Sequence, residues 1–139
     1  MATFTLSVVT PEHILLEEEV ESIIVPGVQG YLGILAHHAP LITPIVPGRL
    51  TVRKSPSTEI IMAISGGFLE VSGNKATVLA DAVEYADDID IERAKRSLER
   101  VRARLKERPE GFDFDRAMAS MRRAENRLKI CETIAVERH

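Results

Sequence analysis

Tryptophan is absent, aromatic residues make up 4% of the 139 positions, and the only cysteine is Cys131. A lone cysteine excludes an intrachain disulfide framework and fits a reducing compartment, and its place on an apolar helical seam favours packing. Long apolar runs are missing too. Pro40, Pro44 and Pro47 interrupt the most apolar stretch, so nothing approaches the ~20 residues that cross a bilayer, and any membrane association is expected to come indirectly through a partner. Met1-Ala2-Thr3-Phe4-Thr5 has neither a basic region nor an apolar core, so a cleaved secretory signal is not expected. The chain also lacks a Gly-rich phosphate loop, clear magnesium ligands and a nucleophile, base and orienting group that can be placed together. No catalytic residue, resident metal or required cofactor is therefore expected.

What is present is unevenly distributed. The formal net charge is -3, but residues 1–88 carry 4 Lys/Arg against 11 Asp/Glu, whereas residues 89–139 carry 14 against 10. The C-terminal part should therefore seek acidic partners or anions, and no nucleic-acid partner is expected. The hydrophobic period changes near the same point, in Glu84-Tyr85-Ala86-Asp87-Asp88-Ile89-Asp90-Ile91-Glu92-Arg93-Ala94, from two before it to three-and-four after it.

Before the change, Phe4, Leu6 and Val8 alternate with Thr5 and Ser7 as in a half-buried strand. Short strands are expected over His13 to Leu16, Val20 to Val25, Tyr31 to Leu35, Leu41 to Ile45, Leu50 to Arg53, Glu59 to Ile64, Phe68 to Val71 and Ala76 to Leu79. Pro26-Gly27, Pro47-Gly48, Ser55-Pro56-Ser57, Gly66-Gly67 and Ser72-Gly73-Asn74 separate them as turns. So many short strands indicate an antiparallel β-sandwich or flattened barrel. Three motifs compete with purely structural roles. Glu17-Glu18-Glu19 reads as a solvated edge that discourages strand pairing rather than as a metal site. His37-His38 has no carboxylate or thiolate at ligand spacing and reads as a loop former. Ser65-Gly66-Gly67 lacks the first glycine of G-x-S-x-G and reads as a bulge or hairpin bend.

After the change, Asp90 can cap a helix by accepting amide hydrogens of its first turn, with Ile89 and Ala94 at the staple positions. Ile91, Ala94, Leu98, Val101 and Leu105 are spaced three, four, three, four. Phe114, Ala117, Met121, Ala124, Leu128, Cys131 and Ala135 repeat that spacing after the break at Glu107-Arg108-Pro109-Glu110-Gly111. Two helices joined by so short a connector are antiparallel neighbours. Pairing Leu105 with Phe114, Val101 with Ala117, Leu98 with Met121, Ala94 with Ala124 and Ile91 with Leu128 gives one self-consistent register. Alanines bring the backbones close but bury little area, so the hairpin is expected to open readily. The same register gathers Arg93, Arg123 and Arg127 near the positive N-terminus of the first helix, where a polyphosphate would fit; a solvated basic face partly neutralised by Glu92 and Glu125 is the plainer alternative.

The chain resembles the epsilon subunits of bacterial F-type ATP synthases over nearly its whole length. Gly30-Tyr31-Leu32-Gly33-Ile34-Leu35 with His38-Ala39-Pro40-Leu41, Ser65-Gly66-Gly67-Phe68-Leu69-Glu70-Val71, and Ile89-Asp90-Ile91-Glu92-Arg93-Ala94 with Arg123-Ala124-Glu125-Asn126-Arg127-Leu128 carry the resemblance. It implies a β-sandwich domain over residues 1–86 that binds the gamma subunit and the c-ring, with Gly30, Tyr31, Leu32 and His38 in the contact. Some relatives carry an acidic residue where Tyr31 stands. It further implies a regulatory helical hairpin over residues 87–139, which inhibits ATP hydrolysis by extending its basic residues, here Arg100, Arg102, Arg104 and Arg108, toward acidic segments of the beta subunits in the alpha–beta head. In some relatives the folded hairpin binds ATP, which here points to Ile89, Asp90, Arg93, Ala94, Arg123 and Arg127, with Glu84 reading the base. The implied role is a non-catalytic central-stalk subunit that couples proton translocation to rotary ATP synthesis, at the cytoplasmic face of the bacterial plasma membrane, with ATP as a regulatory ligand. The rival reading is a freestanding nucleotide-responsive module that docks on an acidic partner.

Overall fold

The computed structural model describes residues 2–137 and divides into two compact units between Tyr85 and Ala86. The first unit is built from ten strands: β1 Phe4–Val9, β2 Ile14–Val20, β3 Ser22–Gly27, β4 Gly30–Leu35, β5 Leu41–Ile45, β6 Gly48–Ser55, β7 Thr58–Ile64, β8 Gly67–Ser72, β9 Lys75–Ala80 and β10 Val83–Tyr85. Their hydrogen-bonded order is β10-β7-β6-β3-β5-β8-β9-β1-β2, with β4 on the free side of β3. All pairs are antiparallel except β1 with β9. This one continuous sheet wraps around a single core as a β-sandwich.

Alternation explains the wrapping. Leu6 and Val8 of β1, Val25 of β3, Leu50 and Val52 of β6, Leu69 of β8 and Val78 of β9 are fully buried together, while their sequence neighbours mostly face outward. Burial of each such side chain contributes about 1.5–3 kcal/mol, and a slip of one residue would reverse the faces, so the apolar pattern holds the register. The inward run of β2 is interrupted by Glu18, which meets Lys54 of β6 at 2.6 Å. That pair and the Tyr85 hydroxyl, donating to the Leu15 carbonyl at 3.5 Å, tie edge strand β2 to strands with which it shares no ladder.

The turns follow from their residues. Gly73 and Asn74 both hold φ 58, as a two-residue hairpin loop between Ser72 and its partner Lys75 requires. Gly67 sits at φ 139, and a β-carbon there would lie 2.0 Å from the Leu79 carbonyl oxygen, so two strands meet where no side chain fits. Ser65 belongs to the same bend, its amide and hydroxyl donating to the Ala82 carbonyl at 3.0 and 3.2 Å. His37-His38 also shapes a loop: the His37 amide donates to Oδ1 of Asn74 at 2.7 Å. Glu17 and Glu19 are exposed on edge strand β2, and Glu19 accepts the Thr3 hydroxyl at 3.1 Å.

The second unit opens with one turn of 3-10 helix, Ala86–Asp88, then α1 Ile91–Glu107 and α2 Phe114–Glu137. Asp90 caps α1 and Asp113 caps α2, each accepting at 3.0 Å the amide three residues on. Between the helices, the Arg108 amide donates to the Arg104 carbonyl at 2.8 Å, with Arg108 at φ 47 and Gly111 at φ 77 reversing the chain. Ala94, Leu98 and Ala124 of the expected seam are buried and Val101, Leu105, Ala117, Met121 and Leu128 half-buried. Two details differ from expectation. Ile91 and Phe114, where the two helices begin, and Ala135, at the far end of the expected seam, are exposed. Ile130 and Ile134, off the seam, are buried instead; α2 runs past the start of α1 and packs on the 3-10 turn, whose Ala86 is buried. Glu84, in the stretch where the hydrophobic period changes, lies in strand β10. Residues 138 and 139 of the expected helical domain lie outside the described residues.

Candidate functional site

Two groups of residues carry chemistry, one in each unit. In the sandwich, the outward positions of four adjacent strands form an apolar row. Pro44 of β5 pairs with Phe68 of β8, Phe68 with Leu79 of β9, and Leu79 with Val9 of β1. Phe68 is 53% and Leu79 47% exposed, and Ile42, two residues before Pro44, is 73% exposed. Single exposed apolar side chains are ordinary; an unbroken row of them across three strands, ending on half-buried Val9 of the fourth, marks an interaction surface.

The expected partner-contact residues lie in β4 and the loop after it. Gly30, Tyr31 and Leu32 line one side of an open cleft of about 630 Å³, with Thr43 and Pro44 on the other. Tyr31 is 61% exposed, yet its hydroxyl is fixed by the Arg49 amide, which donates to it at 3.1 Å. An oxygen that already accepts keeps its own proton to offer, so Tyr31 presents a hydrogen-bond donor. His38, half-buried, bonds the Ala39 carbonyl through Nδ1 at 2.7 Å.

In the helical unit, Asp90 and Arg93 are joined by the cap, and Ile89 stands half-buried before it. The Arg93 side chain is exposed on the first turn of α1. Ala94 and Ala124 are 2% and 1% exposed, so the two helices approach closely where the small side chains lie. Arg123 is exposed on α2 and Arg127, one turn on, is half-buried. Asp90, Arg93, Ala94, Arg123 and Arg127 are thus carried by two packed helices, while Glu84 belongs to the other unit, in strand β10. Arg100, Arg102 and Arg104 are exposed along α1. Arg108 is placed differently, in the turn, with its guanidinium 6.0 Å from the centre of the Phe114 ring and Nε donating to the Leu105 carbonyl at 3.3 Å. Its left-handed backbone ends the helix, in the break that the apolar spacing marked at Glu107-Arg108-Pro109-Glu110-Gly111.

The two-part division agrees with relationships across known proteins. The family description "ATP synthase, Delta/Epsilon chain, beta-sandwich domain" matches residues 3–86, and "ATP synthase, Delta/Epsilon chain, long alpha-helix domain" matches residues 87–132. The chain belongs to the ATP synthase delta/epsilon family. It is 47% identical over 134 residues to the ATP synthase epsilon chain of Moorella thermoacetica, covering 96% of this chain and all of that one. To the epsilon chain of Carboxydothermus hydrogenoformans it is 53% identical over 103 residues, 74% of this chain and 76% of the relative. Among solved structures it is similar to a chain of the Euglena gracilis mitochondrial ATP synthase, in an assembly of OSCP, F1 and c-ring, with TM-score 0.70, 25% identity, and coverage of 100% of this chain and 83% of that one. An epsilon chain is a subunit of an enzyme complex associated with a membrane. Among the described residues no helix of this family member is long and apolar enough to cross a membrane.

The sequence had pointed to the arginines and to β4, but the apolar row was not legible in it. Ile42, Phe68 and Leu79 each looked like an ordinary strand residue, and only the pairing of β5, β8 and β9 makes them neighbours. The signal available was weak: each falls on the outward phase of its own strand.

Proposed function

We propose that this chain is a central-stalk rotor subunit of an F-type ATP synthase at the cytoplasmic face of the bacterial plasma membrane, without catalytic activity of its own, whose sandwich docks on the gamma subunit and c-ring and whose helical hairpin is an ATP-responsive brake on hydrolysis. The observation that carries the docking role is the apolar row of Pro44, Phe68, Leu79 and Val9, with Ile42 beside it and Glu70, the cross-strand partner of Ile42, at its margin. Gly30, Tyr31 and Leu32, across the cleft from Pro44, and His38, in the loop before β5, are the further contacts with the ring in this reading. The family relationship and the F1/c-ring setting of the Euglena neighbour support the same assignment. Phe68→Glu places a charge in the row without touching the core; loss of assembly into a synthase stripped of this subunit, with an unchanged circular dichroism spectrum, is the expected outcome, and normal assembly overturns it.

For the hairpin, the support is a capped helix start with Arg93 in its first turn and Arg123 and Arg127 on the helix packed beside it. A polyphosphate would draw on the first-turn amides and on guanidinium pairs, which the close approach of the helices at Ala94 and Ala124 brings near one another. The alpha and beta subunits are the partners of the extended state, through Arg100, Arg102 and Arg104. A ligand held only by the folded hairpin stabilises it by about 2.7 kcal/mol at a hundred times its dissociation constant, enough to move a switch whose states differ by a few kcal/mol. Calorimetric titration with ATP and ADP, with and without magnesium, tests binding, and the distance between labels on the sandwich and on α2 tests compaction. Arg93→Ala and Arg127→Ala should abolish both responses; wild-type behaviour in both variants removes ATP from the proposal.

A further inference from the structure

Asn74 holds together segments remote in sequence. From the two-residue turn between β8 and β9, its Nδ2 donates to the Thr3 carbonyl at 3.0 Å, its Oδ1 accepts the His37 amide at 2.7 Å, and its own carbonyl accepts the Thr5 amide at 3.2 Å. The turn is beside the loop it bonds because Leu41, where β5 starts, pairs with Val71 near the end of β8. His37 holds φ 63, a left-handed conformation that costs a residue with a β-carbon free energy, and its amide bond to Asn74 offsets part of that cost. The conformation at His37 sets the direction in which His38 leaves the loop.

His38 is itself constrained. Its Nδ1 lies 2.7 Å from the Ala39 carbonyl oxygen, which can only accept, so Nδ1 carries the proton. In the neutral ring Nε2 is then left as an acceptor. We infer that Asn74 is the positioning residue of the docking surface: it fixes the left-handed turn at His37 from which His38 presents Nε2 to a hydrogen-bond donor on the rotor partner. The inference rests on the reading of His38 as a partner contact and adds the residue that orients it and the kind of group it meets.

Two substitutions separate the bonds. Asn74→Gly keeps the positive φ of the turn but loses both side-chain bonds. Asn74→Asp keeps an acceptor for His37 and loses the donor to Thr3. The full-length chain is titrated into synthase stripped of this subunit, and exchange of the His37 amide is followed by NMR. In Asn74→Gly the amide should exchange at least several-fold faster and the affinity fall by about fivefold, the equivalent of one net hydrogen bond, with an unchanged circular dichroism spectrum. Asn74→Asp should restore both the protection and most of the affinity, which a merely structural role through Thr3 would not. His38→Ala should bind at least as weakly as Asn74→Gly. If Asn74→Gly leaves the amide protected, or frees it and binds as wild type while His38→Ala binds worse, Asn74 does not position the docking group. If His38→Ala also binds as wild type, the loop is no contact and the assignment of His38 under the proposed function falls with this inference.

Discussion

The amide of Arg93 donates to Oδ1 of Asp90 across 3.0 Å, so the residue expected to hold a phosphate is attached through its backbone to the residue that starts the helix. The Arg93 side chain therefore leaves from the first turn, where unpaired amides and the helix dipole already favour an anion. Cap and ligand group are one structure, and a change at Asp90 is felt at Arg93.

Asp90→Ala should cost the helical unit about 1 kcal/mol by leaving a first-turn amide without its acceptor, while Asp90→Asn should be nearly neutral. Hydrogen exchange of the Ala94 to Leu98 amides reads the effect. Equal protection in wild type and Asp90→Ala would show that the cap contributes nothing.

Gly67→Ala should be far more severe. The added β-carbon would lie 2.0 Å from the Leu79 carbonyl oxygen at a φ of 139, so strands β8 and β9 must separate. We expect a loss of about 2 kcal/mol or more, seen as a lowered urea midpoint. Gly73→Ala, at φ 58 with open space around its β-carbon, should cost about 1 kcal/mol. A wild-type midpoint for Gly67→Ala would contradict the close approach.

A chain ending at Tyr85 should fold and keep its attachment to the complex, because every strand of the sandwich is then present. One ending at Ala82 removes β10, which pairs with β7 from Val83 to Tyr85, and should be measurably less stable in thermal melts. Equal stability of the two would mean that β10 adds nothing to the sheet.

Replacing Arg100, Arg102 and Arg104 with glutamate should raise ATP hydrolysis by the assembled enzyme, since reversal of exposed charges turns attraction to an acidic partner into repulsion. Arg108→Glu belongs to a different experiment. Its cation–π contact with Phe114, about 0.5–1 kcal/mol at an exposed site, would be lost, so it should loosen the hairpin as well as alter its charge. Unchanged hydrolysis by the triple variant would rule out an electrostatic contact through this face.

The sequence by itself determined the elements. Alternation located most strands, because a half-buried strand must repeat every two residues, although the expected Val20 to Val25 strand straddles β2 and β3 and the expected turn Pro26-Gly27 lies inside β3; the three-and-four spacing placed both helices, because an apolar stripe must follow the helical turn. Asp90 was legible as a cap since capping is local, needing only a carboxylate ahead of a periodic run. Strand β10 escaped because three residues are too few to establish a period. Tertiary structure decided whatever depends on residues remote in sequence. The pairing of β5, β8, β9 and β1 makes an apolar row from Pro44, Phe68, Leu79 and Val9, no two of which are near neighbours along the chain. Asn74, in sequence an ordinary turn residue, reaches Thr3 and His37 only because the ladders bring three chain segments to one end of the sheet. The burial of Ile130 and Ile134 was likewise beyond periodicity, since it depends on where α1 stops and the chain before it turns. Local periods report which face of an element is apolar; what covers that face is set by packing.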